Sequence, residues 1–422
     1  MTEEEYFTRY AEVVVAVGLN IQSGQELLIQ APVAGSEFVP YVAREAYRAG
    51  ARHVTPIYTD GRVVRAKLEA AADAYVDYEP AALHNEAARI GKEGGAILIL
   101  HGEDPNVMEG APIDRRSRFL KAVGERAHAG RAERMRDAHP WAVVAVPTAA
   151  WAARVFPQLP ADDALERLRT ATAAACRLDH DDPVKAWNDH CAALEGLAAW
   201  LDTRQFERLE YSGPGIDLRV GLVQNHKWIG PATISGNGIR FVANMPTDEV
   251  FTAPHRLRVE GTLRSSRPIV YQGAYVGTVE MTVEAGRIIG ARAEKNQSVL
   301  EDALDRDQNA RFFGEVALVS EEAPVAKQAL TFYDGLYDEN AGCHLAFGAA
   351  YPTCLQGGEA LSTEDRVAAG LNDSRQHLDF TIGSDELDVT AHDADGKSVP
   401  ILVAGRWSEA ALEAQEAGSA GG

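Results

Sequence analysis

The apolar positions of this chain follow two different periods, and the change from one to the other divides it. In the first half, short continuous apolar runs alternate with stretches of helical spacing. Residues 4–18 (EEYFTRYAEVVVAVG) carry apolar side chains at helical intervals and stop at Gly18. ELLIQA at 26–31 reads as a buried strand, and after it a helix is expected from a cap near Ser36 to a glycine stop at Gly50. RHVTPIYT (52–59), GAILILHG (95–102) and WAVVAVPT (141–148) are three further strands, with helical segments between them. Strand alternating with helix predicts a largely parallel sheet covered on both faces. Between Asp114 and Asp137 lies a basic helical stretch, RRSRFLKAVGERAHAGRAERMR, whose arginines suit a solvated or subunit-facing surface. Helical patterns at 162–178 and 183–206 close this half.

After about Arg208 the spacing tightens to a period of two. RLEYSG, IDLRVGL, RPIVYQG and GTVEMTVEAGRIIGARAE are strand signals, the last folded at Glu284-Ala285-Gly286-Arg287 as in a hairpin. One helix, QSVLEDALDRD, interrupts them. From His377 a further antiparallel set is expected: HLDFTIG, LDVTAH and SVPILVAGRW, with a turn at residues 393–396. The expected fold is therefore an α/β N-terminal domain with a largely parallel sheet, followed by an α+β, strand-rich C-terminal domain. The boundaries read as 1–195, 196–410 and a small-residue tail, 411–422, expected to be flexible. No internal repeat is visible.

Composition narrows the function. The chain has 422 residues, is 46% hydrophobic and 24% charged, and carries a formal charge of -21, so a nucleic-acid phosphate backbone would repel it. No apolar run is long enough to span a membrane. The N-terminus opens acidic and lacks the basic region and cleavage site of a secretory signal. Cys176, Cys191, Cys343 and Cys354 form neither a CxxC pair nor a disulfide framework, which fits free thiols in the cytoplasm. A dinucleotide site is excluded for want of a GxGxxG at a strand-to-helix turn; HGEDPNVMEG after the third strand does not replace it.

The chemistry gathers in the second half. In residues 374–389 (SRQHLDFTIGSDELDV), His377, Asp379 and Thr381 fall on one strand face, with Leu378, Phe380 and Ile382 on the other. An imidazole and a carboxylate about 7 Å apart along the strand, pointing the same way, can reach one metal or two adjacent ones. Alone, such a pair is far more often a hydrogen-bonded structural feature than a metal site. Three other segments supply company: NMPTDEVFTAP (244–254), RFFGEVALV (311–319) and LYDENAGCHLAFGAAYP (336–352). Glu315 sits in an apolar strand, where a carboxylate must pair with a basic side chain or bind a cation. His344, taken alone, would read as a packed core histidine, and Cys343 beside it as a small buried hydrophobe.

These four segments, in this order and spacing, together with WAVVAVPTAAWAARVFP in the first half, resemble the thermophilic-type metallo-aminopeptidases, the family of aminopeptidases S and T. The resemblance runs the length of the chain. It implies Glu249, Glu315, His344, His377 and Asp379 as ligands of two divalent ions, with Tyr351 as a further ligand or a phenol close by. The preference for Glu249 over Asp248 rests on the resemblance alone. Glu315 and Tyr351 are the expected catalytic residues, and no cofactor other than zinc, cobalt or manganese is implied. The implied reaction is release of N-terminal residues from short peptides by a metal-activated hydroxide, in a cytoplasmic homodimer. Two Glu, one Asp and two His would set three negative charges against four positive. Tyr351 would donate a hydrogen bond to the tetrahedral oxyanion. The alternatives are a dinuclear amidase or dipeptidase acting on another small amide, and a non-catalytic small-molecule binding protein on the same fold.

Overall fold

The computed structural model describes residues 1–134, 136–271 and 274–420. Met135 of the basic stretch, Gln272 and Gly273 of RPIVYQG, and the last two glycines of the tail lie outside them. The chain divides into two compact units, residues 1–188 with 232–246, and residues 189–231 with 247–422. The 183–206 pattern is one helix, Pro183–Arg204, and the division falls inside it after residue 188, seven residues before the boundary expected from the sequence.

The first unit is the expected α/β domain. Its sheet is wholly parallel, in the order His53–Thr59, Glu26–Pro32, Ala96–His101, Trp141–Ala145, Asn244–Met245. The continuous apolar runs are explained by helices on both faces: Leu27, Leu28 and Ile29 in succession are inaccessible to water, as are Ala96, Leu98, Ala142 and Val144. The N-terminal helix, Glu3–Val13, is held by a capping box, with Glu5 N–H donating to Thr2 Oγ1 and Thr2 N–H to a Glu5 carboxylate oxygen. Two differences from the sequence reading stand out. The helix expected from Ser36 begins at Val39, after a short 3-10 turn at Val33–Gly35. The fifth strand returns from the second half of the sequence, and at two residues it is too short for any alternation to betray it.

The second unit holds two large antiparallel sheets and a two-stranded antiparallel pair, Ile269–Tyr271 with Ala274–Gly277. The larger has eight strands, in the order Arg287–Ala293, Val279–Glu284, Pro254–Arg264, Ile216–Leu222, Arg208–Gly213, Asp388–His392, Ser398–Val403, Arg406–Trp407. The hairpin at Ala285-Gly286 is as expected, both residues having positive φ, which matches the twist of the strands it joins. The smaller sheet has four strands, in the order Val250–Thr252, Phe313–Leu318, His344–Gly348, His377–Thr381. The sequence reading grouped HLDFTIG with the strands that follow it. Instead, residues 382–387 carry the chain from one sheet to the other, since alternation shows which face a residue takes but not which strand it pairs with. One core lies beneath both sheets, with Val316, Leu318, Leu345, Phe347 and Phe380 from the smaller packed in the same cluster as Leu209, Val220, Val259 and Val389 from the larger.

Residues Glu409–Ala420 form a helix, and Ala411 and Ala414 are buried in this core. Small residues allow it, because a Cβ on Gly196 of the Pro183–Arg204 helix would stand 2.6 Å from Gly418 Cα and 2.6 Å from the Ala414 carbonyl oxygen. Low complexity here reflects close helix packing. Replacing Gly196 with Val is expected to destabilise the protein by about 1–3 kcal/mol through overpacking, measured as a shift of the unfolding midpoint. The exposed Ser419→Ala serves as a neutral control.

Candidate metal centre

The smaller sheet of the second unit separates apolar from polar chemistry by its two faces. Val316, Leu318, Leu345, Phe347 and Phe380 point into the core. The opposite face carries Glu315, His344, His377 and Asp379, because these alternate with the core residues along each strand. Register puts Glu315 opposite Ala346 and Ala346 opposite Asp379, while Gly348 stands opposite His377. The two smallest side chains thus occupy the middle strand between the ionisable ones. They leave room above the sheet for the carboxylates and imidazoles to converge.

A bulge sets the phase of this face. Phe313 pairs with Phe347 and Glu315 with Ala346, so Gly314 is an extra residue on its strand. In a regular strand Phe313 and Glu315, two residues apart, would share a face; the bulge at Gly314 sends the phenyl ring into the core and keeps the carboxylate outside. Glycine is required there, since a Cβ would lie 2.2 Å from the Ala349 carbonyl oxygen. At Gly348 a Cβ would meet the Gln376 carbonyl oxygen at 2.1 Å, and φ is +109°.

The fourth carboxylate-bearing segment enters from the edge strand, where Glu249 immediately precedes Val250–Thr252 and is buried. His344 Nε2 lies 2.9 Å from Glu249 Oε2 and 3.5 Å from Glu315 Oε1. His377 Nε2 lies 3.2 Å from Asp379 Oδ1 and 3.7 Å from Glu315 Oε2. His377 Nδ1 donates to the Ala349 carbonyl oxygen at 2.8 Å, and His344 Nδ1 faces the Gly342 carbonyl oxygen at 3.4 Å. Both rings therefore turn Nε2 toward the carboxylates, in the tautomer and orientation that a metal-binding imidazole takes. The ring of Tyr351 stands edge-on to His377, with centroids 5.4 Å apart, and edge-on to Phe251 on its other side.

All six candidate residues are thus in one place. Ligand atoms of Glu249, Glu315 and His344 come within 4.8 Å of one another, and so do those of Glu315, His377 and Asp379. Glu315 belongs to both groups, offering one oxygen to each imidazole. Glu249 Oε2 and Asp379 Oδ1 are buried without a well-aligned hydrogen bond, although a buried carboxylate oxygen ordinarily has one. The donor set, carboxylate and imidazole with unsatisfied buried oxygens, fits divalent cations.

Electrostatics in the cluster are severe. Burial, together with Asp379 and Glu249, raises the Glu315 pKa above the usual carboxylate range despite the hydrogen bond from His344. Burial disfavours the charged form of both imidazoles, but the carboxylates outweigh it: His344 is held well above its ordinary value by Glu249 and Glu315, and His377 is raised to about 10 by Asp379 and Glu315. Burial would raise Asp379 as well, and His377 outweighs it to hold that acid low. Protonated imidazoles and bound cations are alternative means of neutralising the same carboxylates. Tyr351 is pushed well above 10 by burial and then by the surrounding acids, so its phenol keeps its proton.

One residue of the cluster escaped the sequence reading. Glu339, in the short 3-10 turn Glu339–Ala341, is raised far above an ordinary carboxylic acid by burial and by the charges of Asp379, Glu249 and Glu315, with His344 opposing. It makes a fourth carboxylate where three were counted. The signal was available: an acid five residues before a candidate ligand, at the entry to a wholly buried strand. Asp248, set aside in favour of Glu249, faces His190 instead, at 3.4 Å. Cys343 is a buried thiol between Val319 N–H and the Val319 carbonyl oxygen, pushed up to about 12 by burial, as expected of a packing residue.

A donor set of this composition, raised on an antiparallel sheet with its candidate ligands on four separate segments, fits a metal-dependent hydrolase. Comparison with known proteins gives the family. The thermophilic metalloprotease family (M29) matches residues 3–407, and the chain belongs to it. Aminopeptidase T of Thermus thermophilus is 42% identical over 403 residues, covering 94% of this chain and 97% of that protein. Aminopeptidase AmpS of Bacillus subtilis is 35% identical over 400 residues, covering 94% and 97%. Among solved structures, wild-type AmpT from Thermus thermophilus superposes with a TM-score of 0.90 at 40% identity, covering 96% of this chain and all of that one. The protein is accordingly an enzyme that hydrolyses peptide bonds, and its two-part fold is that of the relative.

The gap over Ala346 offers a direct test. Ala346→Leu places a branched side chain between Glu315 and Asp379, and the folded variant is expected to bind divalent metal on the order of 10–100-fold more weakly. Equilibrium dialysis against zinc measures it, with Ala346→Gly expected to retain near-native binding.

Proposed function

We propose that this protein is a metal-dependent aminopeptidase that removes N-terminal residues from short peptides, using a dinuclear centre on the small sheet of the second unit. The observation that carries the reading is Glu315, whose two carboxylate oxygens each face a different imidazole and so join two ligand groups into one site. Glu249, Glu315 and His344 would hold one cation, and Glu315, His377 and Asp379 the other. Two divalent cations there would supply hydroxide at neutral pH and polarise the scissile carbonyl. Zinc, cobalt and manganese all suit mixed carboxylate and imidazole donors.

The remaining chemistry falls to the chain's own groups. Glu339 is the acid left over once five ligands are assigned, and it lies within electrostatic reach of Glu249, Glu315 and Asp379. Bound cations would offset the neighbouring carboxylates that raise it, and Glu339, ionised in that way, would take the proton from water as the oxygen adds to the carbonyl carbon and return it to the amide nitrogen as the C–N bond breaks. Tyr351, protonated and close to His377, donates from its hydroxyl to the oxyanion formed in between. Preference for a chain terminus follows from the carboxylates, which attract a free amino group and have no favourable interaction with an acylated one.

A homodimer and a cytoplasmic location belong to the same reading, supported by the family resemblance and by four free, buried cysteines. No described helix is long and apolar enough to cross a membrane.

Purified protein is expected to release the N-terminal residue from short peptides, to lose this activity on chelation, and to regain it with zinc, cobalt or manganese. N-acetylation of the peptide should abolish turnover. Activity that persists on acetylated peptides would favour the amidase alternative. In a second test, Tyr351→Phe is expected to lower kcat by about 10²–10³ with KM little changed, because one oxyanion donor is lost; an unchanged kcat would remove the phenol from the mechanism.

A further inference from the structure

Two of the carboxylates in the centre, Glu249 and Glu339, do not lie on the strands that carry the others. Glu249 ends a loop before the edge strand, and Glu339 sits in a one-turn 3-10 segment. Loops of this kind need an external tie to hold a side chain in place. We propose that Asn340 is a positioning residue for the metal centre, its buried carboxamide locking the Glu249 segment to the Glu339 segment. This rests on the reading of Glu249 and Glu339 as members of that centre.

The geometry is specific. Asn340 is wholly inaccessible to solvent. Its Oδ1 accepts from the backbone N–H of Asp248 at 2.7 Å, one residue before Glu249. Its Nδ2 donates to the Leu336 carbonyl oxygen at 2.9 Å, closing the turn that presents Glu339 one residue earlier. One planar group thus spans both loops, using acceptor and donor at once, a task that fits an amide better than an acid or an alcohol. A second anchor holds the same segment from behind. His190, on the Pro183–Arg204 helix, donates from Nε2 to the Thr247 carbonyl oxygen at 2.8 Å, with Asp248 Oδ1 3.4 Å away. Residues 247 and 248 are therefore fixed from two sides, so the position of the Glu249 carboxylate follows from the backbone before it.

Partners of this kind behind the ligands typically change metal affinity or activity by about 10–100-fold when removed. The test uses full-length protein stripped of metal and titrated with cobalt, whose absorption reports each equivalent bound, alongside thermal unfolding of the metal-free chain. Asn340→Leu, of similar size but without hydrogen bonds, is expected to bind one cobalt equivalent at least about tenfold more weakly, and to lose kcat with little change in KM. His190→Ala, at a less buried site, is expected to weaken the same equivalent by a smaller factor. A cobalt isotherm and kcat like the parent's in Asn340→Leu would overturn the proposal. So would an unfolded Asn340→Leu together with a His190→Ala that titrates as the parent does. Glu249→Gln separates the two readings: it should lose that equivalent outright, and if it binds both as the parent does, the ligand set is wrong and the clamp falls with it.

Discussion

Everything in the second unit answers to one constraint, the burial of like charges side by side. Glu249, Glu315 and Asp379 converge on two imidazoles, and Glu339 feels the charges of all three carboxylates. An unpaired buried charge costs several kcal/mol, and four carboxylates together could not stay ionised without compensation. Among the described residues, no Lys or Arg forms an ion pair with Glu249, Glu315 or Asp379, whose ion partners are His344 and His377. Divalent cations meet the need with the right charge and the right donors.

The fold makes this constraint tolerable by separating the burdens. The apolar face of the four-stranded sheet shares a core with the eight-stranded sheet, so stability does not rest on the polar face. On that face, Ala346 and Gly348 forgo side-chain packing to leave space. Gly314 shifts the register so that a phenyl ring and a carboxylate, two residues apart, go opposite ways. Backbone carbonyls at Ala349 and Gly342 set the imidazoles. Catalytic geometry here is largely a matter of backbone, with few side chains free to adjust.

Much of this was legible in the sequence. The period change near residue 208 marked the passage from parallel to antiparallel sheet, and the alternation in HLDFTIG separated His377 and Asp379 from Leu378 and Phe380. What was hidden depends on pairing in three dimensions. Strand alternation could not say that His377–Thr381 joins the Glu315 sheet while Asp388–His392 joins the other. Glu339 lay in a segment already singled out, but a 3-10 turn has no periodic signature to aim its side chain. The tail read as loose because small residues signal both disorder and close helix packing, and only the facing glycine at 196 distinguishes them.

The central claim, two cations joined by Glu315, is tested most directly by anomalous diffraction at the zinc edge from crystals of the metal-loaded enzyme. The account predicts two peaks, one on the Glu249 and His344 side of the Glu315 carboxylate and one on the His377 and Asp379 side. A single peak, or two peaks of which neither touches Glu315, would contradict it.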